Sequence, residues 1–224
     1  MKNREDHTKK AYHGIRQMLF HNEIVPGQKI SYRDLAERLG MSSTPVIQAL
    51  KWLELKGLVR HEPNRGYYTE SISVSEVEEI YEFRSLIELS LLPEVIRLLD
   101  GEGRQRLRTA LDNHLNAARD IFLKERLIKD MEFHLTLASL SQRQIQHQVL
   151  QNLFDILYLK YRASILFMTP VDTAGIEHQQ LYECVVNGDV EHARKILADH
   201  IGHVKEHVVN GLRRVQEEKA ESTF

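Results

Sequence analysis

Asp130 and His134 stand four residues apart, and on a helix that spacing puts both side chains on one face, one turn apart. His178 opens a later helical segment, and His200 lies on the segment after it, beyond an Asn187-Gly188-Asp189 turn that would fold the two against each other. Three imidazoles and one carboxylate could thus converge on one cavity. Neutral imidazole and carboxylate give mixed nitrogen and oxygen ligation, which suits a borderline divalent ion such as zinc, nickel or manganese, and a four-donor set can leave coordination positions open. Spacing alone carries this only part of the way, because the chain has 12 histidines and most histidines are surface or satisfied core residues. His203 and His207, three and seven residues beyond His200, are read as solvent or packing residues, although either could face the same cavity. His114, His147 and His192 have no partner at ligand spacing.

Arg84, in IYEFRSLIELS, lies one turn before Glu88. An intrahelical ion pair worth roughly a few tenths of a kcal/mol is one explanation. A fork for a carboxylate ligand is the other, since guanidinium geometry suits bidentate recognition. Tyr81 and Tyr161 could line such a pocket, but core packing explains each as well.

Helices must position these residues. Beyond residue 70 strand signals disappear; a linker near 70–74 leads into a helix from about Ser75, with Val77, Ile80, Tyr81, Leu86, Ile87 and Leu91 at helical spacing and Gly101 and Gly103 as its end. Further helices are expected near 104–121, 125–140, 143–168, 174–187 and 189–217, with breaks at Pro170 and at the Asn187-Gly188-Asp189 turn. The result is an all-α helical bundle.

The residues before this bundle read differently. In YRDLAERLGMSSTPVIQALKWLELKGLVRHEPNRGYY, residues 32–68, a first helix has its start signal in Ser31 followed by Asp34, and Leu35, Ala36 and Leu39 share a face before Gly40 closes it. Ser42 or Ser43 can cap a second helix, whose early Pro45 sits where a missing N–H costs nothing and whose buried stripe is Val46, Ala49, Leu50 and Leu53. Two short strands at 58–61 and 66–69, joined through Pro63, Asn64, Arg65 and Gly66, make a hairpin. Helix, turn, helix and wing in that order form a DNA-reading module with the second helix as reader. Its candidate contacts are Arg33, Ser43, Thr44, Gln48, Lys51, Asn64, Arg65 and Gly66; Gln48 could read an adenine edge. Trp52 is assigned to the core.

The run from Pro26-Gly27 through Leu35-Ala36-Glu37-Arg38-Leu39-Gly40, Thr44-Pro45-Val46, Ala49-Leu50, Leu53, Gly57-Leu58-Val59 and Asn64-Arg65-Gly66 resembles the N-terminal domain of the GntR transcription regulators. It covers about the first third of the chain, and the remainder resembles the all-helical ligand-sensing FCD domain of that family's FadR branch. This resemblance implies a metal site: Asp130-Met131-Glu132-Phe133-His134 matches the domain's Asp-x-x-x-His motif, and His178 and His200 fall where the family places its other two histidine ligands, with zinc the first choice of ion. It also implies that Arg84, with Glu88 beside it, helps bind a small carboxylate effector near the metal. The chain departs from the family where the reading helix commonly carries arginines, in a Ser-Arg-Thr-Pro-Val-Arg-type sequence; Ser43 and Ile47 stand there instead. Each phosphate-binding cation missing from the helix flattens the salt dependence of DNA binding by roughly one unit of slope, so an atypical or less tightly bound operator is expected.

Composition agrees with two domains, residues 1–72 and 73–224, in a mainly α fold: an N-terminal winged helix-turn-helix domain, then the bundle. Residues 1–70 carry 12 Lys plus Arg and 8 Asp plus Glu, a balance of +4, and the chain's net −2 leaves −6 for residues 71–224. A basic head suits a polyanion and an acidic body does not. The single Cys184 forbids an intrachain disulfide, no apolar run approaches the ~18 residues of a membrane span, and MKNREDHTKK lacks a signal-peptide hydrophobic region, so a cytoplasmic protein with no membrane partner is expected. The reading is a homodimeric, ligand-responsive transcription regulator on pseudo-palindromic double-stranded operator DNA, and not an enzyme. The alternative is a metal-dependent hydrolase of a small molecule with a vestigial DNA-binding head, which lacks a placed general base.

Overall fold

The computed structural model describes residues 2–21, 23–117, 123–160 and 171–221. They divide into two compact units, one of residues 1–72 and 155–162, the other of residues 73–154 and 163–224.

The first unit opens with α1 (Lys2–Phe20), for which the sequence reading had no counterpart. Its Ala11, Ile15, Met18 and Leu19 are buried at helical spacing and join a core with residues of α3. β1 (Lys29–Ile30) precedes α2 (Tyr32–Arg38), where the Ser31 hydroxyl accepts the Asp34 N–H at 3.3 Å as the cap that the Ser31/Asp34 pair predicts. Gly40, at φ +60°, turns the chain out of the helix in a conformation few residues but glycine adopt. α3 (Ser43–Leu55) follows the N-cap Ser42, with Pro45 in its first turn, and Val46, Ala49, Leu50 and Leu53 are fully buried.

The wing is β2 (Val59–Glu62) and β3 (Gly66–Thr69), with β2 starting one residue later than expected. Asn64 takes φ +63° in its turn, and the sheet order is β1-β3-β2, antiparallel throughout, with Tyr68 opposite both Lys29 and Arg60. The end of α7 (Gln144–Lys160) belongs to this unit as well. Leu159 is buried in its core, Asp155 pairs with Arg16, and Glu70 receives Arg60 Nε at 2.9 Å and lies 3.6 Å from Lys160 Nζ.

In the second unit α4 (Val74–Leu98) starts on a full capping box, the Ser73 hydroxyl accepting the Glu76 N–H at 3.1 Å and the Glu76 carboxylate accepting the Ser73 N–H at 3.0 Å. Gly101 and Gly103 do not terminate this helix. They lie in the first turn of α5 (Gly101–Ala117), because Asp100 Oδ1 accepts the Gly103 N–H at 2.7 Å and so caps a new helix two residues after the old one ends. α6 (Leu123–Leu140) rests on α4 and α5; α8 (Val171–Asn187) touches α4, α5 and α9 (Val190–Glu221); and α4 packs most extensively on α9. Gly188, at φ +80°, and the Asp189 N–H bonded to the Cys184 carbonyl make the predicted turn between α8 and α9. Tyr161 and Pro170 lie outside the described residues. Among those described, no helix is long and apolar enough to cross a membrane.

Asp155 gives a pH test of the first unit. Burial raises its pKa above the ordinary 3.8, outweighing the pull of Arg16 and Lys56. A carboxyl whose pKa is higher folded than unfolded favours folding while protonated; that contribution is full below pH 3.8 and is lost as pH rises through the folded value. Calorimetric melting of the wild type and Asp155→Asn should therefore show the variant gaining on the wild type as pH rises from about 4 to 7. A variant that falls steadily behind over that range would mean that the Arg16 pair outweighs burial.

Candidate functional site

Helical spacing delivers Asp130 and His134 from α6, His178 from α8 and His200 from α9 to one place in the second unit. Their donor atoms all lie within 4.8 Å of one another, the three imidazoles are buried, and the Asp130 side chain is 13% exposed. His134 Nε2 is 3.2 Å from both His200 Nε2 and His178 Nε2, and Asp130 Oδ1 is 3.9, 3.6 and 3.8 Å from the Nε2 atoms of His134, His178 and His200. Donors held ~2.1 Å from one ion lie about 3.0 Å apart at right angles and about 3.4 Å apart at tetrahedral angles, so the spread matches a single coordination sphere.

The tautomers point the same way. His134 Nδ1–H donates to Glu88 Oε2 at 2.6 Å and His200 Nδ1–H to Glu177 Oε2 at 2.8 Å, so in the neutral rings both Nε2 atoms present lone pairs. Two lone pairs 3.2 Å apart beside a carboxylate repel unless something positive lies among them. The donor set therefore fits a divalent cation, which Asp130, His134, His178 and His200 could hold, with Glu88 and Glu177 fixing two of the rings from outside. Asp130 is below the usual carboxylate range despite its burial, through the positive charge that His134 and His200 carry when they are protonated. Burial, reinforced by the neighbouring imidazoles, puts His178 well below the ordinary histidine value.

Arg84 is 2% exposed and lies beside this cluster. Its Nε donates to Glu88 Oε1 at 2.9 Å, and its guanidinium carbon is 4.1 Å from the ring centre of Phe154 and 4.9 Å from that of Tyr81. Its Nη2 is buried with no hydrogen-bond partner among the described residues. An arginine donor left unsatisfied in a protein interior costs enough that a ligand oxygen is its natural complement. Glu88 has both oxygens occupied by protein, Oε1 by Arg84 and Oε2 by His134, and these two neighbours overcome burial to hold its pKa at about 2. It is thus placed to orient Arg84 and His134 rather than to meet a ligand itself.

Within the first unit, Arg33, Thr44, Lys51, Asn64 and Arg65 are exposed, while Ser43, Ile47 and Gly66 are half-buried. Arg65 is only loosely tied, 3.6 Å from Glu62. Gln48 is half-buried, and its side-chain oxygen accepts the Thr8 hydroxyl of α1 at 2.8 Å. Trp52 is half-buried and packs on Tyr12 at 6.2 Å.

A winged helix-turn-helix joined to a helical domain of this kind defines a class of bacterial regulator. The chain matches the family of bacterial regulatory proteins named gntR over residues 7–68 and the FCD domain over residues 79–203, and it belongs to that family of transcription regulators. It is similar to the uncharacterized HTH-type transcriptional regulator YdhC of Bacillus subtilis, 26% identical over 92% of each chain, and to the HTH-type transcriptional repressor RspR of Escherichia coli, 21% identical over 96% of this chain and 92% of that one. Among solved structures, E. coli McbR/YncC shares the fold with a TM-score of 0.76 over 91% of this chain and 97% of that one at 20% identity. The metal-free FCD domain of TM0439 aligns with a TM-score of 0.53 over 64% of this chain and 99% of its own at 17% identity. The relatives are named as transcription regulators, not enzymes.

Glu177 had no place in the sequence reading. It bridges His200 and the exposed His203, whose Nδ1–H donates to Glu177 Oε1 at 2.6 Å. Its position directly before His178 was the available signal, but that neighbour is not the ring it holds. His203 is thus neither a ligand nor idle: Glu177 raises its pKa while itself being lowered, against burial, by its bonds to His200 and His203.

Glu88→Ala would leave the Arg84 charge buried without its partner and the His134 Nδ1–H without an acceptor. Urea unfolding should register a drop in stability of about 3–5 kcal/mol. A drop below about 1 kcal/mol would mean that solvent reaches Arg84.

Proposed function

We propose that the protein is a homodimeric, metal-dependent transcription regulator of the cytoplasm whose FCD domain senses a small carboxylate and whose winged heads bind a pseudo-palindromic operator. The observation that carries this reading is the convergence of three Nε2 atoms and Asp130 Oδ1 beside an arginine whose Nη2 has no partner among the described residues. Asp130, His134, His178 and His200 would hold the ion, with zinc preferred and nickel or manganese as the alternatives their mixed donors allow. When bound, the ion supplies positive charge and open positions to an anionic ligand.

The chain's own residues do the rest. Arg84, fixed by Glu88 and by the Phe154 and Tyr81 rings, offers Nη2 to a carboxylate oxygen. Burial of the cluster keeps water from competing, so each interaction is stronger than it would be at the surface. An effector that changes the spacing or mobility of the two heads would change the match to half-sites set one or more helical turns apart. Arg33, Lys51 and Arg65 would neutralise phosphates, while Ser43, Thr44, the Gln48 NH2 group, Asn64 and the Gly66 backbone would meet sugar, phosphate or base edges.

Metal content tests the sensor. The wild type should carry about one ion per chain by elemental analysis, His178→Ala and His200→Ala should carry almost none, and equal content in all three would refute the site. Arg84→Met should keep the metal and weaken carboxylate binding by calorimetry at least tenfold; unchanged binding would place the effector elsewhere.

DNA binding tests the heads. Fluorescence anisotropy should show a preference for the protein's own promoter region over random duplex, falling with salt, and Thr44→Arg should steepen the log–log salt slope by about one unit per head. No preference at any salt concentration would count against the operator reading.

A further inference from the structure

The three ligating imidazoles are not equivalent. His134 and His200 each give their Nδ1–H to a carboxylate, at 2.6 and 2.8 Å, whereas His178 Nδ1 is buried with no partner among the described residues. If His178 presents the Nε2 lone pair to the centre, its proton must be on Nδ1, and a buried donor facing nothing is costly. One further imidazole lies against it: His114 of α5, buried at 6% exposure, meets the His178 ring nearly edge-on, at 4.4 Å between centroids and 83° between planes. His114 Nδ1 is likewise buried without a partner. No other buried imidazole nitrogen among the described residues is in that state.

The two orphans are complementary. One ring needs an acceptor for Nδ1–H, and a neutral imidazole protonated on Nε2 has one on Nδ1. We propose that His114 is the positioning residue for His178, accepting the His178 Nδ1–H on its own Nδ1 through a small ring rotation and so holding the tautomer that turns Nε2 toward Asp130, His134 and His200.

The consequence is a graded set of ligands. Glu88 and Glu177, being anionic, make His134 and His200 strong donors; His114, being neutral, orients His178 without strengthening it as far. His178 is then the weakest of the three imidazole ligands, and its hold on the ion depends on a residue from α5, a helix that supplies no ligand itself.

This rests on the proposed metal site, and the test separates the two. Zinc affinity, measured by competition with a chromophoric chelator on the full-length protein, should fall about 10–100-fold in His114→Leu while the metal-free melting temperature stays near that of the wild type. His114→Asn, whose side-chain oxygen can accept the same proton, should recover most of the affinity. Ring nitrogen NMR of the zinc-loaded wild type should show His178 protonated on Nδ1, and cobalt loaded in place of zinc should give a changed visible spectrum in His114→Leu. Wild-type affinity and spectrum in His114→Leu, or equally weakened binding in the Leu and Asn variants, would overturn the assignment and leave the metal site standing. A wild type that binds no zinc would overturn both. If His114→Leu does not fold, His114→Phe, which keeps the ring and lacks the acceptor, carries the same expectation.

Discussion

The second unit depends on one carboxylate divided between two neighbours. Glu88 gives one oxygen to Arg84 and the other to His134, all three buried, so the orientation of the arginine and of the imidazole is set by a single side chain on α4. This fixes the charge of the interior as well. With neutral imidazoles, Arg84 contributes one positive charge and Glu88, Asp130 and Glu177 three negative ones, a surplus of two negative charges. A divalent ion would offset that surplus. A buried cluster with a negative surplus is the electrostatic form a cation site needs, because isolated buried charge is what low dielectric penalises most.

Local rules made much of this legible in sequence. The Ser31 cap, the Gly40 exit, Pro45 in the first turn and the wing turn at Asn64 each depend on a few consecutive residues, and they stand where the spacing put them. The Asp130/His134 pair was readable for the same reason. Glu177 was not, because it serves His200, which is 23 residues away and on the next helix; only the packing of α8 on α9 joins them. The division of Glu88 between a neighbour one turn away and a ring 46 residues away is half local and half not, and only the local half showed. Gly101 and Gly103 misled because glycine is a helix stop in general, while Asp100 made these two the start of another helix. α1 went unread because its apolar residues are spread thinly through a polar stretch, and their spacing gains meaning only against α3.

The reading head is under a different constraint. Its fold is fixed by Val46, Ala49, Leu50 and Leu53, all fully buried, while Arg33, Thr44 and Lys51 stand in solvent. Side chains at such exposed positions usually change stability by less than about 0.5 kcal/mol, so cations can be exchanged there for other residues at almost no cost to folding. What changes is the electrostatic contribution to DNA binding, which is roughly additive over the phosphates engaged.

The buried centre of the second unit has no such freedom. Arg84, Glu88, His134, His178 and His200 are buried and interlocked, and removing one member of a buried charged pair costs about 3–5 kcal/mol, a large share of the stability of a typical domain. Its residues can therefore change only together, while those of the head can change singly. A regulator built this way can change its DNA contacts in small steps but its buried centre only in a large one, so DNA preference should vary among proteins of this architecture faster than the chemistry of that centre.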